Sequence, residues 1–341
     1  MRTAFLFPGQ GAQVVGMGKE IAQRFGVAAR IFEKADAIVG FDLSRICFEG
    51  PAEILNTTTV SQPAIFVTSA AMLEVVRTNA ATRGFGADVT AGLSLGEYTA
   101  LYAAGVISFE DAVTLVQKRG QAMQAASDAT EGAMVSIIGL DERKVEELCA
   151  EASDGELLEA VNFNCPGQIV ISGSKAACGR AERLAGEYGA IKAVQLEVAG
   201  AFHTEMMSGA ANTLRKALRK CKISEPLNIK TIANIYAEYY KSAEEIAEGL
   251  IKQLTCAIYW QKCMERLIVD GVEDFYEIGP GRVLTGLMRR INRKINVANI
   301  SSLQAIEELL NSQVLIRSRY AGEETGCCNG CCQRDRPCGS A

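Results

Sequence analysis

Histidine is nearly missing from this chain: one imidazole, His203, serves 341 residues. Any chemistry that needs an imidazole base must use that residue, and none is left to complete a metal site elsewhere. Long apolar runs are missing too. None approaches the roughly 18 residues that cross a bilayer as a helix, so no membrane partner is expected. The apolar opening, Met1 to Phe7, stops at Pro8 and is too short for a signal-peptide core. It reads as a buried first strand, and the expected location is cytoplasmic. Positive charge is not in excess: Lys and Arg total 35 against 40 Asp and Glu, a net charge of -5. That balance gives no electrostatic reason for nucleic acid as a partner.

What is present fits a folded globular chain, 48% hydrophobic and 22% charged, large enough for two unequal units or one domain with an insert. Strands 3–7 and 89–92 alternate with helices beginning at Gly96 and Phe109, the order expected of an α/β fold with a largely parallel sheet. The middle has another rhythm: strand 133–140, helix 141–152 opened by an Asp cap, strands 158–162 and 168–173, helix 174–188, strand 191–198. That β-α-β-β-α-β order is the ferredoxin-like pattern. The expected division is a discontinuous catalytic unit, 1–127 with 199–318, an insert at 128–198, and a flexible tail at 319–341.

Gly92-Leu93-Ser94-Leu95-Gly96 is a G-x-S-x-G string between a strand and a helix. A sharp turn there exposes the hydroxyl at a helix N-terminus, where the Leu95 N–H faces developing negative charge. A plain glycine-rich loop before a helix has the same string. A serine hydroxyl needs a base at neutral pH, and only His203, in Gly200-Ala201-Phe202-His203, can supply an imidazole. Three other segments each have two readings. Pro8-Gly9-Gln10-Gly11 is a strand-to-helix turn or brings the Gln10 N–H to an oxyanion. Arg119 is solvated, or points inward as a fork for a carboxylate. Asn162 and Asn164 form a turn or line a cleft, with Asn162 taken as substrate-binding.

Taken in order, FPGQG (Phe7–Gly11), GLSLGEY (Gly92–Tyr98), QKRG (Gln117–Gly120), VNFNCPGQIVISG (Val161–Gly173), GAFH (Gly200–His203), QL…W (Gln253 to Trp260) and EIGPGRVLTGL (Glu277–Leu287) resemble the acyltransferases of fatty-acid and polyketide synthesis, most closely the malonyl-CoA:acyl carrier protein transacylases. The resemblance implies an α/β-hydrolase-like core with parallel sheet plus an inserted ferredoxin-like subdomain. It implies malonyl transfer from malonyl-CoA to the phosphopantetheine of acyl carrier protein, with no cofactor. Residue by residue it implies Ser94 as nucleophile, His203 as base, the N–H groups of Gln10 and Leu95 as oxyanion donors, Arg119 on the malonyl carboxylate, and the main-chain carbonyl of Gln253 orienting His203. Phe202 implies malonyl over a branched acyl group. Two positions depart from the pattern: Leu93 stands where histidine is usual, and Ala257 where proline is.

Two basic stretches, Arg215 to Lys222 and Arg289 to Lys294, are alternatively solvated helix faces or a landing for an acidic carrier protein. Of the 12 cysteines, seven (Cys47, Cys149, Cys165, Cys178, Cys221, Cys256, Cys263) read as reduced thiols, and five crowd the last 15 residues. Those five are an unstructured extension or a soft-metal site, and no metal is assigned. The rival functions are a serine thioesterase or hydrolase using the same Ser94–His203 pair, and a scaffold that has lost activity.

Overall fold

A computed structural model describes residues 2–80, 85–226 and 228–311; the expected tail, with its five cysteines, lies outside them. In chain order the strands are β1 (Arg2–Phe7), β2 (Val89–Gly92), β3 (Gly132–Ile138), β4 (Leu158–Cys165), β5 (Gln168–Ser174), β6 (Lys192–Gln195), β7 (Lys230–Thr231), β8 (Val272–Ile278) and β9 (Val297–Ile300).

β1 shows how one strand serves two cores. Successive side chains of a strand leave on opposite faces. Phe5 and Phe7 enter a cluster with the helices Thr58–Ala80 and Phe109–Asp128. Ala4 and Leu6 enter another with Trp260, Met264 and Met288. A strand apolar on both faces suits a parallel sheet covered by helices on both sides. β1 lies at the centre of such a sheet, ordered β7-β2-β1-β8-β9, with every pairing parallel.

The second sheet is antiparallel, ordered β4-β5-β3-β6, the ferredoxin-like order expected from the sequence. Its helices Glu142–Ser153 and Lys175–Leu184 are capped by Asp141 and Ser174, whose side chains accept the Lys144 and Ala177 N–H groups. Alternation again sorts the side chains: Ala133, Val135 and Ile137 of β3 pack on those helices, while Met134 and Ser136 face a cavity shared with the parallel sheet. The two sheets are tied at β4, where Ile258 donates to the Val161 carbonyl at 2.7 Å and accepts the Phe163 N–H at 2.9 Å. Arg290 adds a clasp, donating to Gln168 Oε1 at 2.7 Å and to the Pro166 carbonyl at 3.0 Å. That side chain is therefore engaged with the β4–β5 hairpin rather than simply solvated.

The structure revises the sequence reading at one strand and adds a helix. The last strand of the antiparallel sheet is Lys192–Gln195, not 191–198: Leu196 makes one more bond to β3, donating to the Met134 carbonyl at 2.9 Å, and Glu197 and Val198 then run past the sheet along the cavity. Helix Thr58–Ala80 was not foreseen. It is buried nearly all round, polar residues such as Gln62 and Thr68 included, and lacks the period that marks an amphipathic helix. Its Thr58–Asn79 window, with mean hydropathy 1.3, is long and apolar enough to cross a membrane, yet 83% of it is buried inside the protein. Ala257, which stands where proline is usual, precedes the fully buried Ile258, which β4 holds on both sides.

One close backbone approach carries a test. A Cβ on Gly96 would stand 2.1 Å from the Phe7 carbonyl oxygen, so the helix after β2 presses directly on the end of β1. Gly96→Ala is expected to destabilise the protein by about 2–3 kcal/mol, the scale of overpacking, read as a lower urea midpoint; an unchanged midpoint would contradict this packing.

Candidate active site

β2 ends at Gly92, and within three residues the chain has turned into the helix Gly96–Ala103. The turn is tight enough that a Cβ on Gly92 would lie 2.0 Å from the Gly96 carbonyl carbon. At its apex Ser94 adopts φ +51°, a left-handed conformation that costs a non-glycine residue roughly 1–3 kcal/mol and persists only when its surroundings impose it. Asn234 imposes it here: its Oδ1 accepts the Ser94 N–H at 2.6 Å, and its Nδ2 donates to the Gly92 carbonyl at 2.8 Å. The hydroxyl is left pointing at the cavity.

His203 reaches the same point from a loop that runs against helix Phe109–Asp128; a Cβ on Gly200 would lie 2.3 Å from Ser127 Oγ. His203 also has positive φ, +63°. Its Nε2 is 3.1 Å from Ser94 Oγ, and its Nδ1 donates to the Gln253 main-chain carbonyl at 2.7 Å. A carbonyl only accepts, so Nδ1 carries the proton and Nε2 is the free lone pair facing the serine. Burial, and then the nearby Arg119 cation, push the imidazole down to about 4, against the opposing hydrogen bond to Gln253. At neutral pH it is an uncharged base.

Arg119 resolves to its inward reading, with 1% of its surface exposed. Nη2 donates to Ser94 Oγ at 2.9 Å and to Gln253 Oε1 at 3.1 Å, and Nη1 donates to Gln62 Oε1 at 2.7 Å. These partners are all neutral. The guanidinium also lies 5.6 Å from the centroid of Tyr98. Burial lowers its pKa, with Tyr98 and Glu97 opposing the shift. A buried cation beside a nucleophile, lacking a carboxylate of its own, suits an anionic substrate group.

Ser94, His203, Arg119, Gln10, Leu95, Phe202 and Asn162 all line one cavity of about 480 Å3, and Gln253 stands behind it, fully buried. Among the described residues no acceptor takes the Gln10 or Leu95 N–H, leaving both donors available beside Ser94. Asn162 and Asn164 resolve to cleft lining, each with a buried Oδ1 that has no partner. Leu93, Met134, Val170 and Leu287 give the cavity an apolar remainder. Sequence reading missed Gln62, Asn234 and Glu97. Glu97 was within sight, a carboxylate in the first turn of an otherwise apolar helix; Gln62 and Asn234 carry no local signal.

The arrangement joins a serine, a neutral imidazole, a buried cation and two free N–H groups in one cavity. The acyl transferase domain matches residues 4–306. This chain belongs to the acyl transferase family. It is 43% identical over 307 residues to the malonyl CoA-acyl carrier protein transacylase of Bacillus subtilis, covering 90% of this chain and 95% of that protein. The transacylase structure from Coxiella burnetii superposes with a TM-score of 0.87 at 35% identity, covering 91% of this chain and 97% of that one. A malonyl-transacylase in complex with a type II PKS acyl-carrier protein gives a TM-score of 0.87 at 37% identity, covering 92% and 100%.

As an acyl transferase with a single histidine, the protein offers a clean titration. The one imidazole resonance in a proton–carbon NMR spectrum is expected to titrate with a midpoint near 4, remaining neutral at every higher pH. A midpoint above 6 would contradict the buried, Arg119-facing environment.

Proposed function

We propose that this protein moves a malonyl group from malonyl-CoA to the phosphopantetheine thiol of acyl carrier protein, through an ester on Ser94, in fatty-acid or polyketide synthesis. One observation carries the reading: the Ser94 hydroxyl that faces His203 Nε2 also accepts a hydrogen bond from Arg119, a buried cation with neutral partners. Nucleophile and carboxylate receptor are thus one hydrogen bond apart, the separation a malonyl group needs.

Ser94 Oγ attacks the thioester carbonyl carbon while His203 Nε2 takes the hydroxyl proton. The carbonyl oxygen, now negative, is held by the Gln10 and Leu95 N–H groups. The carbon–sulfur bond then breaks and His203 returns the proton to the departing CoA thiol. The second half runs in reverse with the carrier thiol as nucleophile. The malonyl carboxylate on Arg119 offsets the charge that depresses the imidazole, so His203 becomes a stronger base when the correct substrate is bound. An acetyl group brings no such carboxylate. The orphan oxygens of Asn162 and Asn164 suit the amide N–H groups of a pantetheine arm, and Phe202 narrows the space beside the acyl group. The complex of a similar transacylase with its carrier protein supports the same partner here.

Residues 128–198 form, in this reading, an inserted unit that roofs the cavity, since their four strands pair with one another and not with the parallel sheet. A cytoplasmic setting belongs to the same reading, because both thiol substrates are soluble there.

Intact-protein mass spectrometry after mixing with malonyl-, methylmalonyl- and acetyl-CoA tests the proposal. The native chain is expected to gain a malonyl mass that Ser94→Ala lacks. Arg119→Ala is expected to lose malonyl loading by about 100-fold or more, matching the 3–5 kcal/mol scale of breaking a buried charge pair, and to gain acetyl loading. Rapid release of free malonate without an acceptor would instead indicate a hydrolase, and undiminished malonyl loading of Arg119→Ala would misplace the carboxylate site.

A further inference from the structure

The transfer steps use no acidic residue, yet a fully buried carboxylate stands directly behind the site. Glu97 lies in the first turn of helix Gly96–Ala103, three residues after Ser94, with no exposed surface. Its Oε2 accepts from Gln253 Nε2 at 2.7 Å and from the Asn234 N–H at 3.1 Å, and its Oε1 accepts from the Tyr240 hydroxyl. Each of the first two partners goes on to hold the reacting groups. Gln253 presents its main-chain carbonyl to His203 and its side-chain oxygen to Arg119, and donates to the Ser94 carbonyl at 3.1 Å. Asn234 holds the Ser94 N–H.

We infer that Glu97 is a positioning residue for the transfer: by accepting from Gln253 and Asn234 together, it fixes in one frame the residues that orient His203, Arg119 and Ser94. The inference rests on the proposed reaction and adds to it a group that touches no substrate. Its logic is one of amide orientation. Gln253 must aim its oxygen at Arg119 and its NH2 away from it; two acceptors on the far side, Glu97 and the Ser94 carbonyl, remove the alternative. Without Glu97, the amide can rotate, and the guanidinium and the imidazole lose their common reference. The carboxyl contributes through its oxygens more than its charge, since burial raises it to about 7 against the pull of its Tyr240, Gln253 and Asn234 donors. A glutamine fits the same three partners: its Oε1 accepts from Gln253 and Asn234, and its NH2 donates to Tyr240, whose hydroxyl turns to accept.

The test combines single-turnover malonyl loading of Ser94 with the NMR resonance of the lone histidine, in Glu97→Gln, Glu97→Met and Glu97→Asp. Glu97→Gln is expected to load within about fivefold of the native rate with an unmoved His203 resonance. Glu97→Met, close in volume but without acceptors, is expected to slow loading about 100-fold, the scale of an ångström of misplacement. It should also displace the resonance. Should Glu97→Met not fold, Glu97→Asp decides: too short to bridge Gln253 and Tyr240, it is expected to slow loading at least about tenfold while keeping its charge. Native loading and an unmoved resonance in a folded Met or Asp variant would overturn the inference. If even the native chain fails to load, the proposed reaction falls, while a displaced resonance in Glu97→Met still upholds the positioning.

Discussion

A single main-chain carbonyl governs the chemistry of this molecule. Gln253 O, 2.7 Å from His203 Nδ1, fixes the tautomer of the one imidazole in the chain and turns its free lone pair toward Ser94. Because that partner is a neutral carbonyl rather than a carboxylate, it does little to stabilise an imidazolium, and burial keeps the ring uncharged. The same residue takes Arg119 on its side-chain oxygen and the Ser94 carbonyl on its side-chain nitrogen. Ser94, His203 and Arg119 are therefore set against one glutamine, and a shift of its backbone would disturb all three.

The architecture delivers that glutamine's neighbours from far apart in the chain. The parallel sheet supplies the tight turn that exposes Ser94, and a loop after the antiparallel sheet brings in His203. Both residues hold positive φ, conformations stable only because the surrounding packing leaves no alternative. The antiparallel sheet contributes a wall: alternate residues of β3 pack its own helices or face the cavity. Leu93, Met134, Val170 and Leu287 give that cavity apolar walls, and shielding an acyl ester from water is what separates a transferase from a hydrolase.

Much of this was legible in the sequence, and the exceptions have physical reasons. The strand and helix order emerged because β1, β2 and the ferredoxin-like strands carry clean apolar patterns bounded by Gly, Pro and capping residues. Ser94 and His203 were legible because a strand–turn–helix context and a lone imidazole leave few choices. Helix Thr58–Ala80 was not legible, since a helix buried all round has no polar face to show its period. Gln62 and Asn234 were equally silent. Their roles depend on which side chain lies opposite in three dimensions, and an amide reads the same in a loop, on a surface or in a core. Arg119 stayed open for the same reason until its helix was seen packed with that face inward.

The central claim, that malonyl rests on Ser94 between two thiols, is tested most directly by a pulse–chase. The chain is loaded with labelled malonyl-CoA, freed of CoA, and divided between buffer and phosphopantetheine-bearing acyl carrier protein. The label is expected to map to the peptide bearing Ser94, to persist in buffer, and to move to the carrier thiol much faster than water removes it. Label on another residue, or release as free malonate at the same rate with and without carrier, would contradict the account.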